Sequence, residues 1–210
     1  MSAKEPDCGT QQKILDEIHK MGRGSVFTPV SFLHIGSRSA VDVALNRLTK
    51  AGTIRRLARG LYDYPKKHRV IGTLSPSVDT IARAIAKRNG SRLLPAGAYA
   101  ANILRLSEQV PAKTVFLTDG PSKTVRIGRQ TIGLRHTSLR LMNVSSQSSG
   151  VVIAALKYLG QKHVDYDRIS HLKQLLSGQD KERLKEDLPL APAWMHPYLR
   201  HITEKGDAHE

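Results

Sequence analysis

The chain has 210 residues, with 33 Lys or Arg against 18 Asp or Glu and a formal net charge of +15. Its 40% hydrophobic content is enough to fill two small cores, and a single cysteine, Cys8, excludes an internal disulfide and fits a reducing cytosol. The longest apolar runs, such as Val151 to Leu156, fall far short of the roughly 20 residues a membrane span needs, and the start lacks the basic-then-apolar pattern of a signal peptide, so a cytoplasmic protein without a membrane partner is expected.

Gln11 to Met21 carries Ile14, Leu15 and Ile18 on one helical face. Thr28, as cap, and Pro29 to Leu33 predict a second short helix with proline in its first turn, and Gly36 supplies a tight turn. Ser37 is a suitable N-cap for a third helix running to Ala51, in which Val41, Ala44, Leu45 and Leu48 recur at i, i+3, i+4 and i+7. Ser39, Val43, Asn46 and Lys50 lie on the opposite side, with Asp42 and Arg47 on its shoulders. Gly52 stops the helix. Thr53 to Ala58 then reads as a strand, Arg59 and Gly60 as a turn, and Leu61 to Tyr64 as the return strand.

Three helices followed by a basic hairpin are the pattern of a winged helix-turn-helix. Charge placement agrees: Ser37 to Arg69 holds nine Lys or Arg and two Asp or Glu, whereas Met1 to Gly36 has four of each. Cations that neutralise phosphates release counterions and give salt-dependent affinity for DNA, without sequence choice. Base reading falls to the exposed side of the third helix, where Asn46 can pair with adenine and Val43 can touch a thymine methyl. Arg38, Ser39, Asp42, Arg47 and Lys50 complete that surface, Arg38 being placed for either a base or a phosphate. Arg55, Arg56, Arg59, Lys66 and Lys67 are assigned to backbone or minor-groove contacts.

Val70 to Ser77 has the composition of a connection, giving a DNA-binding domain over 1–70, a link at 71–76 and a second domain over 77–210. Ser77 or Asp79 caps a helix through Arg88. Gly97 to Arg105 is a further helix after Leu93, Leu94 and Pro95. Thr114 to Thr118, Lys123 to Ile127 and Gln130 to His136 are β-type runs separated by turn formers, and a small antiparallel sheet packed on helices is the simplest arrangement, making the whole chain α+β. Helices are expected from Ser148 onward and over Ile169 to Leu176, Asp180 to Leu188 and Trp194 to Ile202. Ser77 to Arg140 has eleven Lys or Arg against three Asp or Glu, so Lys123, Arg126, Arg129, Arg135 and Arg140 form a candidate second basic surface for nucleic acid or an acidic protein.

The run ALNRLTKAGTIRRLARGLYDYP, then LLPAGAYAANILRLSEQVP and VFLTDGPSKTVRIGRQTIGLRHTS, resembles the AbiEi-type antitoxins of type IV toxin-antitoxin systems over roughly residues 10 to 160. The resemblance implies a bacterial or plasmid-borne protein. Its N-terminal domain would repress its own operon, and its second domain would neutralise a nucleotidyltransferase toxin. Operator DNA and that toxin are the implied partners, and a dimer on DNA is common for such domains.

Catalysis is not expected. Nucleotidyltransferases need a Gly-Ser pair near an Asp-x-Asp that holds Mg²⁺, yet Asp165 and Asp167 lie some seventy residues beyond Gly90-Ser91 and read as a helix cap or solvated charge. His163 and His171, or His196 and His201, lack zinc-site spacing, so neither metal nor cofactor is expected. A stand-alone regulator, and an RNA-binding module that shields a toxin's substrate, stay open as alternatives.

Overall fold

The computed structural model describes residues 8–138 and 142–204. They form a mixed α+β protein of two compact units, the first comprising the residues up to Ser91 with Val125–Arg129, the second Arg92–Thr124 and the residues from Gln130 onward.

In the first unit, α1 (Cys8–Met21) buries Ile14 and Ile18 completely. The segment expected as a second helix is a single 3-10 turn, Pro29–Phe32. Phe32, fully buried and edge-to-face with Phe27 at 5.3 Å, pins this turn, and too few residues remain before Ser37 to propagate a helix. Gly36 has no positive φ; a Cβ there would lie 3.0 Å from Thr10 Cγ2 on α1, a tight approach that glycine avoids.

Helix α2 (Arg38–Lys50) starts where the Ser37 hydroxyl accepts from the Ala40 amide at 3.3 Å. It ends in a Schellman motif: Gly52 is left-handed at φ +70, its amide donates to Thr49 O, and the Thr53 amide donates to Leu48 O, both at 3.0 Å. Val41, Ala44, Leu45 and Leu48 join Ile14, Ile18, Phe27 and Phe32 in one core.

Strand β1 (Val26–Phe27), not foreseen in the sequence, pairs with β3 (Leu61–Asp63), which also pairs with β2 (Arg55–Ala58), giving an antiparallel sheet in the order β1-β3-β2. A second hairpin follows, β4 (Lys67–His68) with β5 (Gly72–Thr73). The compact units therefore divide at Ser91 and not at the expected link 71–76: β5 is paired, the Leu74 amide donates to Lys66 O at 2.8 Å, and α3 (Val78–Asn89) packs on β1.

The second unit begins with β6 (Leu93–Ala96), a strand not foreseen in the sequence, and α4 (Ala98–Ile103). Pro95 is tolerated because β6 is an edge strand, where a missing N–H costs no ladder bond. The sheet order is β6-β7-β9-β8, with β7 (Lys113–Thr118), β8 (Lys123–Ile127) and β9 (Gln130–His136). This corrects the expected all-antiparallel sheet. Because β8 takes the outer place, the strand returning beside β7 is β9, and it runs parallel, from Lys113↔Thr131 to Thr118↔His136.

Helix α5 (Gln147–Leu159) is buried on every side from Ser149 to Leu156 and packs on α4, β6 and α7 (Gly178–Glu186). A Cβ at Gly150 would meet Leu94 Cδ1 at 2.5 Å and Val144 Cγ2 at 3.0 Å. Overpacking costs about 1–3 kcal/mol, more than the ~1 kcal/mol alanine gains over glycine in a helix, so Gly150→Ala is expected to lower the thermal midpoint. Helices α6 (Tyr166–Leu175) and α8 (His196–Thr203) close the core, with Trp194 edge-to-face on Tyr198 at 6.3 Å. No helix among the described residues is long and apolar enough to cross a membrane.

Arg92 clasps this unit: its backbone amide and Nε each donate to Asp119 at 2.8 Å, and Nη1 donates to Met142 O at 2.9 Å. The Arg92 side chain, then its amide, hold the Asp119 carboxyl below the usual carboxylate range. A carboxyl depressed in the folded state stabilises above its unfolded value and loses that contribution as pH falls through the folded one. Acid titration followed by Trp194 fluorescence is therefore expected to unfold wild type with a steeper pH dependence than Asp119→Asn.

Candidate nucleic-acid interface

Helix α2 presents Arg38, Ser39, Asp42, Val43, Asn46, Arg47 and Lys50 to solvent, all seven being exposed. Ser39, Val43, Asn46 and Lys50 follow one another at helical spacing along the stripe opposite the core. The stripe is uncharged except at its C-terminal end, the chemistry of a surface that reads base edges and methyls. Arg38 and Asp42 are not independent: Arg38 Nε donates to Asp42 Oδ2 at 2.9 Å, one turn apart. The carboxylate thus orients the guanidinium along the helix. Being exposed, the pair contributes little to stability.

The hairpin separates its adjacent arginines, Arg55 and Arg56. Arg56 is exposed, as is Arg59 at the turn. Arg55 points the other way: Nε and Nη2 donate to the fully buried Asp63 carboxylate at 3.0 and 2.5 Å, and Nη2 also donates to Leu74 O at 2.9 Å. The Asp63 hydrogen bond raises the Arg55 pKa further. Arg55 is accordingly a clamp between the hairpin and the segment after β5, and its expected phosphate contact is not supported by this geometry. Sequence reasoning also missed Arg88. It extends from the end of α3 to the β2–β3 turn, where a Cβ on Gly60 would lie 3.7 Å from its Nη1. The two positions lie 28 residues apart in sequence, so no local pattern signals it.

Lys66 and Lys67 are exposed at the foot of the second hairpin. Pro65, beside them, accepts a bond from Arg23 Nη1 at 3.2 Å, and that guanidinium lies 4.8 Å from the Tyr64 ring centroid. The hairpin tip is set by His68, whose Nδ1 accepts from the Val70 and Ile71 amides at 3.2 and 3.4 Å. Those two apolar side chains are left 83% and 69% exposed.

The second basic surface does not form one group within a unit. Arg126 and Arg129 are exposed in the segment that clusters with the first unit, whereas Lys123 and Arg135 belong to the second. Arg140 lies outside the described residues. Asp165 caps α6 by accepting from the Arg168 amide at 2.9 Å. Among the described residues no group of three or more His, Cys, Asp or Glu is arranged to hold a metal ion.

The chain belongs to a family of unknown function, DUF6088, whose model matches residues 13–184. No curated protein matches it significantly. Among solved structures it is similar to the RV2827C protein from Mycobacterium tuberculosis, with 15% identity and a TM-score of 0.43 over 92% of this chain and 76% of that one.

Proposed function

We propose that the first unit is a winged helix-turn-helix that binds double-stranded operator DNA, and that the chain is an antitoxin repressing its own operon. The observation that carries the DNA-binding reading is the exposed stripe of α2 in the same unit as the exposed Arg56 and Arg59 of one hairpin and Lys66 and Lys67 of the next. In this reading α2 lies in the major groove with Asn46 as the base reader, Arg38 held for a base or phosphate by Asp42, and the hairpin arginines on flanking phosphates. Neutralisation of a nucleotidyltransferase toxin is assigned to the second unit on the resemblance of LLPAGAYAANILRLSEQVP and TDGPSKTVRIG to AbiEi-type antitoxins. A cytoplasmic location accompanies both roles.

The decisive experiment titrates the full chain on the DNA upstream of its own gene and on scrambled DNA of equal length, across salt concentrations. Tighter binding to the upstream DNA, weakening steeply with salt, is expected. Equal binding to both would remove operator recognition. The antitoxin role is tested by expressing an adjacent nucleotidyltransferase-like gene with and without this chain: growth arrest relieved by the chain is expected, and arrest that persists would remove that role.

A further inference from the structure

Beside the ends of β7 and β9 the second unit holds a cavity of about 370 Å³, within the size range of small-ligand sites. Its apolar lining is Ala96, Leu117 and Ala154, all buried. Its polar lining is Arg135, His136, Thr137, Lys157 and Tyr158. A neighbouring hollow of about 230 Å³ shares Thr137 and Lys157 and adds Ser138. Among the described residues neither is lined by Asp or Glu, so no carboxylate of the lining offsets the positive charge of Arg135 and Lys157.

Three features make this more than a basic surface. The cations arrive from different elements, Arg135 from β9 and Lys157 from α5, so they converge on the cavity through the fold. His136 is held in place: its amide donates to Ser122 Oγ at 2.9 Å, and its Nδ1 lies 3.1 Å from Gly120 O. A carbonyl can only accept, so Nδ1 carries a proton and Nε2 is the nitrogen available to a ligand. Finally, Tyr158 is 49% exposed, and a Cβ on Gly97 would lie 3.8 Å from its ring. An aromatic face beside an apolar floor and two cations suits a ligand with a flat ring and a phosphate.

We infer that this cavity binds a nucleoside phosphate, its base against Tyr158 and the apolar floor and its phosphate between Arg135 and Lys157. The same chemistry is supplied by a free nucleotide or by single-stranded RNA, whose bases stack on aromatic side chains. The site lies wholly in the second unit and does not depend on operator binding by the first.

The test titrates the full chain with ATP and with a fluorescent ten-nucleotide single-stranded RNA. Two variants are run beside it, Tyr158→Ala and the double variant Arg135→Ser/Lys157→Ser. All three side chains are exposed, so the variants are expected to fold, which unchanged circular dichroism and thermal midpoints verify. Wild type is expected to bind at least one probe, with affinity reduced about tenfold by Tyr158→Ala, in line with the loss of one stacked base, and by a similar factor or more in the double variant. RNA binding displaced by ATP assigns the site to nucleotides in either form; RNA binding that ATP does not displace assigns it to the polymer. No binding of either probe, or binding unchanged in both variants, overturns the inference. Affinity of Tyr158→Ala for double-stranded upstream DNA is the control, and its loss would equally overturn a site confined to the second unit.

Discussion

Asn46→Ala is expected to erase most of the preference for upstream over scrambled DNA while leaving α2 intact. Asn46 is exposed in the middle of the Ser39–Val43–Asn46–Lys50 stripe, with no side-chain bond to restrain it within the described contacts. Its amide can pair with both edge groups of an adenine, and such bidentate contacts provide about 1–3 kcal/mol of discrimination, or roughly 5- to 150-fold in affinity ratio. Alanine is also the better helix former, so a folding defect cannot imitate the effect. The check is the ratio of dissociation constants on the two DNAs. A ratio equal to that of wild type would mean that α2 does not read bases through this residue.

The second large effect separates two adjacent arginines. Arg55→Ala is expected to destabilise the protein by about 3 kcal/mol, because it strands the fully buried Asp63 carboxylate without its guanidinium. Arg56→Ala, on the exposed side of the same strand, should change stability by no more than about 0.5 kcal/mol. Its effect falls on DNA: all sequences bind more weakly, and the salt slope drops by about one unit. Thermal or urea unfolding measures the first, and a salt titration of DNA affinity the second. Comparable loss of stability in both variants would contradict the division of labour between the two faces of β2.

The same pair shows where the sequence was legible and where it stopped. Helix α2 could be read almost to the residue, because Ser37, the 3.6-residue apolar repeat and Gly52 each specify it locally. The hairpin could be located but not registered. A regular two-residue turn at Arg59 and Gly60 would set Arg56 opposite Asp63, yet an irregularity between Arg56 and Ala58 shifts the pairing by one, so that Arg55 faces Asp63 and Arg56 faces Tyr62. One extra residue in a strand therefore decides which arginine is structural, and nothing in the composition of RRLARG announces it. The direction of β9 was hidden for a related reason: alternation in TIGLRH marks a strand and its faces, while its neighbour is chosen by the whole sheet. Leu93 to Ala96 contains a proline, which argues against a strand, although at a sheet edge that proline is harmless. In the candidate interface, the exposed stripe was readable from periodicity, whereas Arg88 and the Arg55 clamp depend on contacts across 28 and 8 residues of sequence.

The placement of β9 between β7 and β8 has a consequence for how the chain is made. As the polypeptide emerges from the ribosome, β7 can pair with β6 at once, but its other edge waits until Gln130–His136 have been synthesised and have passed the intervening β8. Until then the run Thr114–Thr118, rich in β-branched and aromatic residues, is an open template for strands of other molecules. Chains terminated between residues 119 and 129 should accordingly aggregate, and the rate at which β9 docks governs the yield of native protein during rapid synthesis.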